Sequence, residues 1–180
     1  LIYPLSADVV SNNQLIIHFS EIVEDTTGGE TENYSVNAGI GNPLSVHFNS
    51  DDRSKILLQF ENEFELEQNY IITINNIQDI NNNPMVSAEI EFVYYIPQPF
   101  DIVFTEIMAD INPEPAGIPA KKYIEIYNTS DFTINLEDWK FLPEGQSEKT
   151  IPYLKIDPDS FIILCEEDEE QNFLQYGKTV

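Results

Sequence analysis

Short apolar runs, each ended by a cluster of Asn, Asp, Gly or Pro, constrain this chain more than any other feature. In Gln14–Phe19, QLIIHF, Leu15, Ile17 and Phe19 fall on one side of an extended backbone, and Ile16 and His18 on the other. A period of two is the pattern of a pleated strand with one face buried. Similar runs are Tyr34–Asn37, Leu44–Asn49, Lys55–Phe60, Tyr70–Asn75 and Glu89–Tyr95, with Asp8–Ser11 as an added edge. Between them stand EDTTGGETE, NAGIGNP, NSDDRS, ENEFELEQ and DINNNP, which read as turns. Helical periodicity is absent from this half.

Seven such strands within residues 1–95, with turn signals every ~8–12 residues, predict an immunoglobulin-like sandwich. YIPQPF, residues 95–100, then carries two prolines, each of which holds the residue before it extended. Residues 96–100 read as a stiff linker. The strand pattern returns in Ile102–Met108, Tyr123–Tyr127, Thr133–Leu136, Trp139–Leu142 and Phe161–Cys165. EEDEEQNFLQYG differs, with acids first, then Phe173, Leu174 and Tyr176, and Gly177 last. Acids in a first turn and a left-handed glycine past the end predict a short helix over 168–176. The predicted class is all-β: two tandem immunoglobulin-like β-sandwiches, residues 1–95 and 101–180, the second with one short helix.

Charge excludes whole classes of partner. Lys and Arg number 8 against 32 Asp and Glu, a formal net charge of −24. Residues 1–100 hold 2 basic and 15 acidic side chains, and residues 101–180 hold 6 and 17. Nucleic-acid binding needs a basic patch to displace counterions, so no nucleic-acid partner is expected. Anionic membrane surfaces are disfavoured for the same reason. No apolar run approaches the ~18–20 residues of a membrane span, so no membrane insertion is expected. A single cysteine, Cys165, permits neither an internal disulfide nor a Cys-based zinc site. The chain opens on Leu1 rather than methionine, which reads as a processed or trimmed piece. Asn33-Tyr34-Ser35 and Asn128-Thr129-Ser130 match the glycosylation sequon, a match too common by chance to place the chain.

Two resemblances follow from longer stretches. NNQLIIHFSEIVE, ENYSV and YIITINNIQDINNNPM resemble the bacterial Ig-like domain of S-layer and other surface proteins, over about residues 5–95. That family usually has glycine where Asn82 stands, and Asn tolerates the same left-handed backbone. IVFTEIMAD, KYIEIYNTSDFTINLEDWKF and SFIILCEEDEEQNFLQYG resemble a bacterial lamin-tail domain. The order is Glu-Ile-Met, Glu-x-x-Asn, Leu-x-x-Trp, a strand, then a short helix ending in Tyr-Gly; Trp139 matches a core tryptophan, and Asp138 stands where glycine is more frequent. The second resemblance implies an Ig-like sandwich used for binding and scaffolding, here lacking its last strands. Exposed strand edges follow, and with them edge-strand self-association of the second domain.

The glutamates raise the question of chemistry. Alternation puts Phe104, Glu106 and Met108 on one face of Ile102–Met108, and Tyr123, Glu125 and Tyr127 on one face of the next strand. Paired neighbours bring Glu106 and Glu125 close. A glycosidase needs two carboxylates about 5–10 Å apart across a cleft, and a small sandwich is expected to offer no deep cleft. Calcium takes six to eight oxygens. Glu106, Asp110, Asn112 and Glu125 are the candidate calcium ligands, with Glu114 beside them. DINNN copies EF-hand positions 1, 3 and 5 in Asp79, Asn81 and Asn83, yet Pro84 replaces the glycine and Ile90 the glutamate, so it reads as a turn. His18 and His47 lie apart with no triad spacing, and His18 reads as exposed; Cys165 reads as a buried structural thiol. No catalytic residue and no cofactor other than calcium are assigned.

The reading is a non-catalytic binding or scaffolding module of a larger secreted or cell-surface bacterial protein, extracellular or periplasmic. Its partner is a protein or a glycan. The alternative is an accessory calcium- or glycan-binding module that serves a hydrolase domain elsewhere in the parent chain.

Overall fold

The alternation in the first half closes two sheets on one core. The structure, a computed structural model, describes residues 1–142 and 147–180. It divides into two units, Leu1–Ile96 and Pro97–Val180. In the first, the strands run β1 (Pro4–Ser11), β2 (Gln14–Phe19), β3 (Tyr34–Val36), β4 (Ser45–Phe48), β5 (Lys55–Gln59), β6 (Asn69–Ile74) and β7 (Ala88–Val93). One sheet has the order β1-β2-β5-β4 and the other β3-β6-β7, each antiparallel throughout. This is the immunoglobulin-like sandwich that the spacing predicts.

Register shows why these residues chose these strands. Leu15 pairs with Leu58 and Ile17 with Ile56, which stacks four fully buried aliphatics on one inner face. Tyr34 pairs with Ile74, and Ile72 follows two residues earlier, on the facing sheet. All belong to a single buried cluster. Each such side chain contributes roughly 1.5–3 kcal/mol on leaving water. Phe64 sits centrally among Phe60, Tyr70 and Phe92, at ring-centroid distances of 5.5, 5.4 and 5.2 Å.

EDTTGGETE is more than a turn, because α1 (Asp25–Gly29) occupies it. Glu24 caps this helical turn, accepting from the amides of Thr26 and Thr27 at 2.8 Å each. Those bonds hold the Glu24 carboxyl down at about 2. Gly28 is required by space: a Cβ there would stand 2.5 Å from Val23 and 2.9 Å from the Phe48 ring. The neighbouring Tyr34 hydroxyl donates to the Gly28 carbonyl at 2.8 Å, satisfying a phenol deep in the core.

The second unit is thinner. Its strands are β8 (Ile102–Met108), β9 (Tyr123–Asn128), β10 (Ile134–Asn135), β11 (Lys140–Phe141), β12 (Lys149–Thr150), β13 (Lys155–Ile156), β14 (Phe161–Cys165) and β15 (Lys178–Thr179). A four-stranded sheet has the order β15-β14-β9-β8, and two-stranded pairs form from β10 with β13 and from β11 with β12. The two-residue strands β12, β13 and β15 carry too few alternations to be read from sequence. Asn128 is fully buried and ties the layers. Its Nδ2 donates to the carbonyls of Phe132 (2.8 Å) and Ile156 (3.0 Å), and its Oδ1 accepts from the amide and hydroxyl of Ser130.

The predicted helix over 168–176 is shorter than expected. A 3-10 turn, Glu167–Glu169, leads into α2 (Glu170–Phe173). Gly177 does not adopt the left-handed backbone expected of a cap. It is glycine for room instead: a Cβ would lie 2.6 Å from the Phe161 ring. Asn82, by contrast, does take the left-handed conformation, at φ 61°. Trp139 is not a core residue, being 40% exposed.

Two outcomes test this account. Leu58→Ala removes a fully buried side chain and should cost about 3 kcal/mol of unfolding free energy, read by urea denaturation followed with circular dichroism; a loss below about 1 kcal/mol contradicts the packing described. Glu24 has its folded pKa depressed from 4.5 to about 2, so its contribution is fully present above about pH 4.5 and lost as pH falls through about 2. Glu24→Ala should therefore lower the urea midpoint at pH 7, and the difference from wild type should vanish near pH 2.

Candidate functional site

Register, rather than alternation alone, decides where the glutamates point. β8 pairs with β9 as Ile102 with Asn128, Val103 with Tyr127 and Phe104 with Ile126; the register then slips, and Glu106 pairs with Glu125, Ile107 with Ile124 and Met108 with Tyr123. Thr105 is the extra residue, a β-bulge. Directly opposed residues share a sheet face. Glu106 therefore lies with Glu125 and Tyr123, while Phe104 lies with Ile126 on the opposite face. The sequence reading that groups Phe104, Glu106 and Met108 is corrected by that one residue.

On the glutamate face, each carboxylate already has a donor. The Tyr123 hydroxyl donates to Glu106 Oε1 at 2.6 Å, and Thr105 Oγ1 donates to Glu125 Oε1 at 2.6 Å. Burial and then the Glu106 carboxylate push the Tyr123 phenol up to about 12. Tyr123 packs in a small core with Ile163 and Phe173, its ring 5.1 Å from that of Phe173. Asp110 and Asn112 make a turn of their own, the Asn112 amide donating to Asp110 Oδ1 at 3.0 Å. Among the described residues, no three His, Cys, Asp or Glu side chains gather as a cation cage.

The other polar candidates are structural. Asp79 is 1% exposed and accepts from the Asn81 amide (2.8 Å), the Asn83 amide (2.9 Å) and the Asn83 side chain (2.7 Å). Those bonds, the Asn83 side chain first, hold its carboxyl below the usual range. The DINNN turn is thus closed by its own donors. His18 is half-buried rather than exposed, with Nε2 3.1 Å from Asp8 Oδ2. Both sequon asparagines are buried: Asn33 donates to the Thr27 carbonyl, and Asn128 holds the corner described above. A glycan on either would break the fold.

A cleft of about 670 Å³ opens within the second unit, at a place the sequence reading does not mark. Its floor is the opposite face of the same sheet, where Ile107, Ile124 and Leu164 form one row across β8, β9 and β14. Phe141, Ile151 and Pro152 make the wall. Ile107 is 61% exposed. Glu166, Glu167 and Glu170 stand at the end where β14 leads toward α2, and Lys122 and Lys149 also line the cleft. Glu106 and Glu125 do not line it. Cys165 does, but burial and then the carboxylates of Glu170 and Glu169 push its thiol up, the reverse of an activated nucleophile. Sequence reading missed the cleft. The available signal was that Ile124 and Ile126 of β9 and Ile162 and Leu164 of β14 put four aliphatics on one face, more than one thin layer can cover.

A family model described as "Bacterial Ig-like domain" matches residues 3–105. No curated protein matches the chain. Among solved structures, domains 1–6 of surface layer protein SbsC align at 15% identity and TM-score 0.49, over 84% of this chain and 22% of that one. The N-terminal part of the bacterial S-layer protein SbsC aligns at 14% identity and TM-score 0.49, over 87% of this chain and 37% of that one. This chain thus spans well under half the length of either.

The geometry predicts the response to calcium. A site filled at 100 times its Kd adds about 2.7 kcal/mol, which raises the melting temperature of a domain this small by many degrees. Millimolar calcium chloride, or EDTA, should leave both unfolding transitions in place. A calcium-dependent rise abolished by Glu106→Gln or Glu125→Gln would show that these side chains rearrange into a metal site.

Proposed function

From its membership of the bacterial Ig-like domain family, to which this chain belongs, we propose that it is a non-catalytic binding and spacing module of a larger bacterial cell-surface protein. The family match over residues 3–105 is the observation that carries the reading. Physical support comes from the first sandwich, whose interior is filled by its own side chains from Leu15 through Phe92. A sandwich packed this way presents function only on faces, edges and loop ends. The second unit belongs to the same proposal as a lamin-tail-like, Ig-fold scaffold. Two features support it: Asn128 of Glu-x-x-Asn holds the corner of the unit, and Asp138 adopts φ 65°, a backbone that glycine takes most readily. The exposure of Trp139 counts against a full correspondence.

Location and catalysis are tested together. An antibody raised against the purified 180-residue chain should stain intact cells that make the parent protein. Staining that requires permeabilisation removes the surface role. The purified chain should turn over neither a panel of nitrophenyl glycosides nor a fluorogenic peptide library. A turnover lost in Glu106→Gln would replace the module with an enzyme.

A further inference from the structure

The structure assigns the cleft of the second unit to an extended segment of a partner protein that carries aliphatic side chains beside lysine or arginine. This goes beyond the proposed surface role and does not depend on it, since the cleft is a property of the second unit alone.

The floor determines the aliphatic half of that ligand. Ile107, Ile124 and Leu164 are neighbours in one cross-strand row. In the next row on the same face, Phe104, Ile126 and Ile162, the β9 and β14 members are covered, Ile126 and Ile162 being 3% and 1% exposed, while Phe104 on β8 is open to solvent. In the cleft row Ile124 and Leu164 are only half-buried, and Ile107 is open to solvent. An extended chain laid along such a floor presents every second side chain to it. Alternate valine, isoleucine or leucine residues fit that spacing. Large apolar ligands with no polar component would leave the acidic end unused.

The rim determines the basic half. Glu166, Glu167 and Glu170 line one end, and none of the three forms an ion pair among the described residues. The nearby lysine Lys121 is taken by Glu169. Lys122 and Lys149 also line the cleft, and neither forms an ion pair among the described residues. A cationic side chain of the ligand therefore meets three carboxylates that outnumber the two lysines lining the cleft, and charge complementarity of this kind selects the partner more than it adds raw affinity. A second copy of this chain is the other occupant an apolar floor would accept. It brings a net charge of −24 to a surface already acidic, so the charges oppose it.

The test uses the full 180-residue chain and three fluorescein-labelled peptides. The first alternates valine with serine and ends in two lysines. The second replaces the lysines by glutamates, and the third replaces every valine by serine. The first should bind saturably, and the other two at least about tenfold more weakly. Its amide shift changes in a two-dimensional NMR titration should map to Ile107, Ile124 and Leu164. Ile107→Asp, at an exposed position, should weaken binding by about tenfold or more while leaving the circular-dichroism spectrum unchanged. The triple variant Glu166→Lys, Glu167→Lys, Glu170→Lys should favour the acidic peptide over the basic one. Absence of saturable binding by the first peptide up to millimolar concentration overturns the assignment. So does equal binding of the basic and acidic peptides, or shift changes confined elsewhere. Sedimentation showing a wild-type dimer that Ile107→Asp dissociates would hand the cleft to a second copy and overturn it equally.

Discussion

Residues opposed on neighbouring antiparallel strands must share a face, and in the second unit everything turns on where that pairing slips. The bulge at Thr105 admits one extra residue into β8. Without it, Phe104 and Glu106 would lie together, and Ile107 would sit with Val103. With it, Glu106 joins Glu125 beside Tyr123, and Ile107 joins Ile124 on the other side. One inserted residue thus gathers Ile102, Phe104 and Ile107 on one face of β8 and turns Glu106 to the other. The same slip places two carboxylates opposite each other, an arrangement that repels. Hydrogen bonds from Tyr123 and Thr105 offset it, and these partners are supplied by the strand and by the bulge itself.

How much of this was legible in the sequence depended on how many alternations each strand had. In the first unit Leu15, Ile17 and Phe19 alternate cleanly, and both sheets were readable from such runs. β1 was longer than its apolar pattern, starting at Pro4, because its outer positions carry Leu5 and Val10 in solvent. α1 was missed because five residues cannot show a helical period; only the Glu24 cap would have betrayed it. In the second unit β12, β13 and β15 are two residues each, below the reach of any periodicity. Glycine was misread once. Gly177 carries no positive φ and owes its identity to the Phe161 ring. A bulge has no fixed sequence sign unless it holds a glycine, so the faces of Phe104 and Glu106 could not be separated in advance.

The candidate residues divide in the same way. Asp79, Asn33 and Asn128 looked like ligand or modification positions because short polar side chains serve both purposes. Burial decides between them. A buried carboxylate or amide must find its full set of partners, and each of these does so within a few residues or across one layer. Once Asn83 has closed on Asp79, the carboxylate has little capacity left for a cation. Sequence spacing gives the oxygens but not their occupancy, and occupancy is what separates a turn from a metal site.

The cleft shows how an acidic surface and an apolar floor can coexist. Charges separated by more than about 8–10 Å are largely screened at physiological salt, so the net charge of the chain gives little protection at a distance. Protection has to act at contact. In a symmetric pair of copies each presents the same patch to the other. Where the Ile107–Ile124–Leu164 row lies against its twin in the same direction, the carboxylates of Glu166, Glu167 and Glu170 meet an equal set, at the low effective dielectric of a closing interface. A partner with lysine or arginine at that end reverses the sign of the same interaction. The hydrophobic floor supplies attraction to anything apolar, and three side chains at its edge decide which apolar segment is allowed to use it.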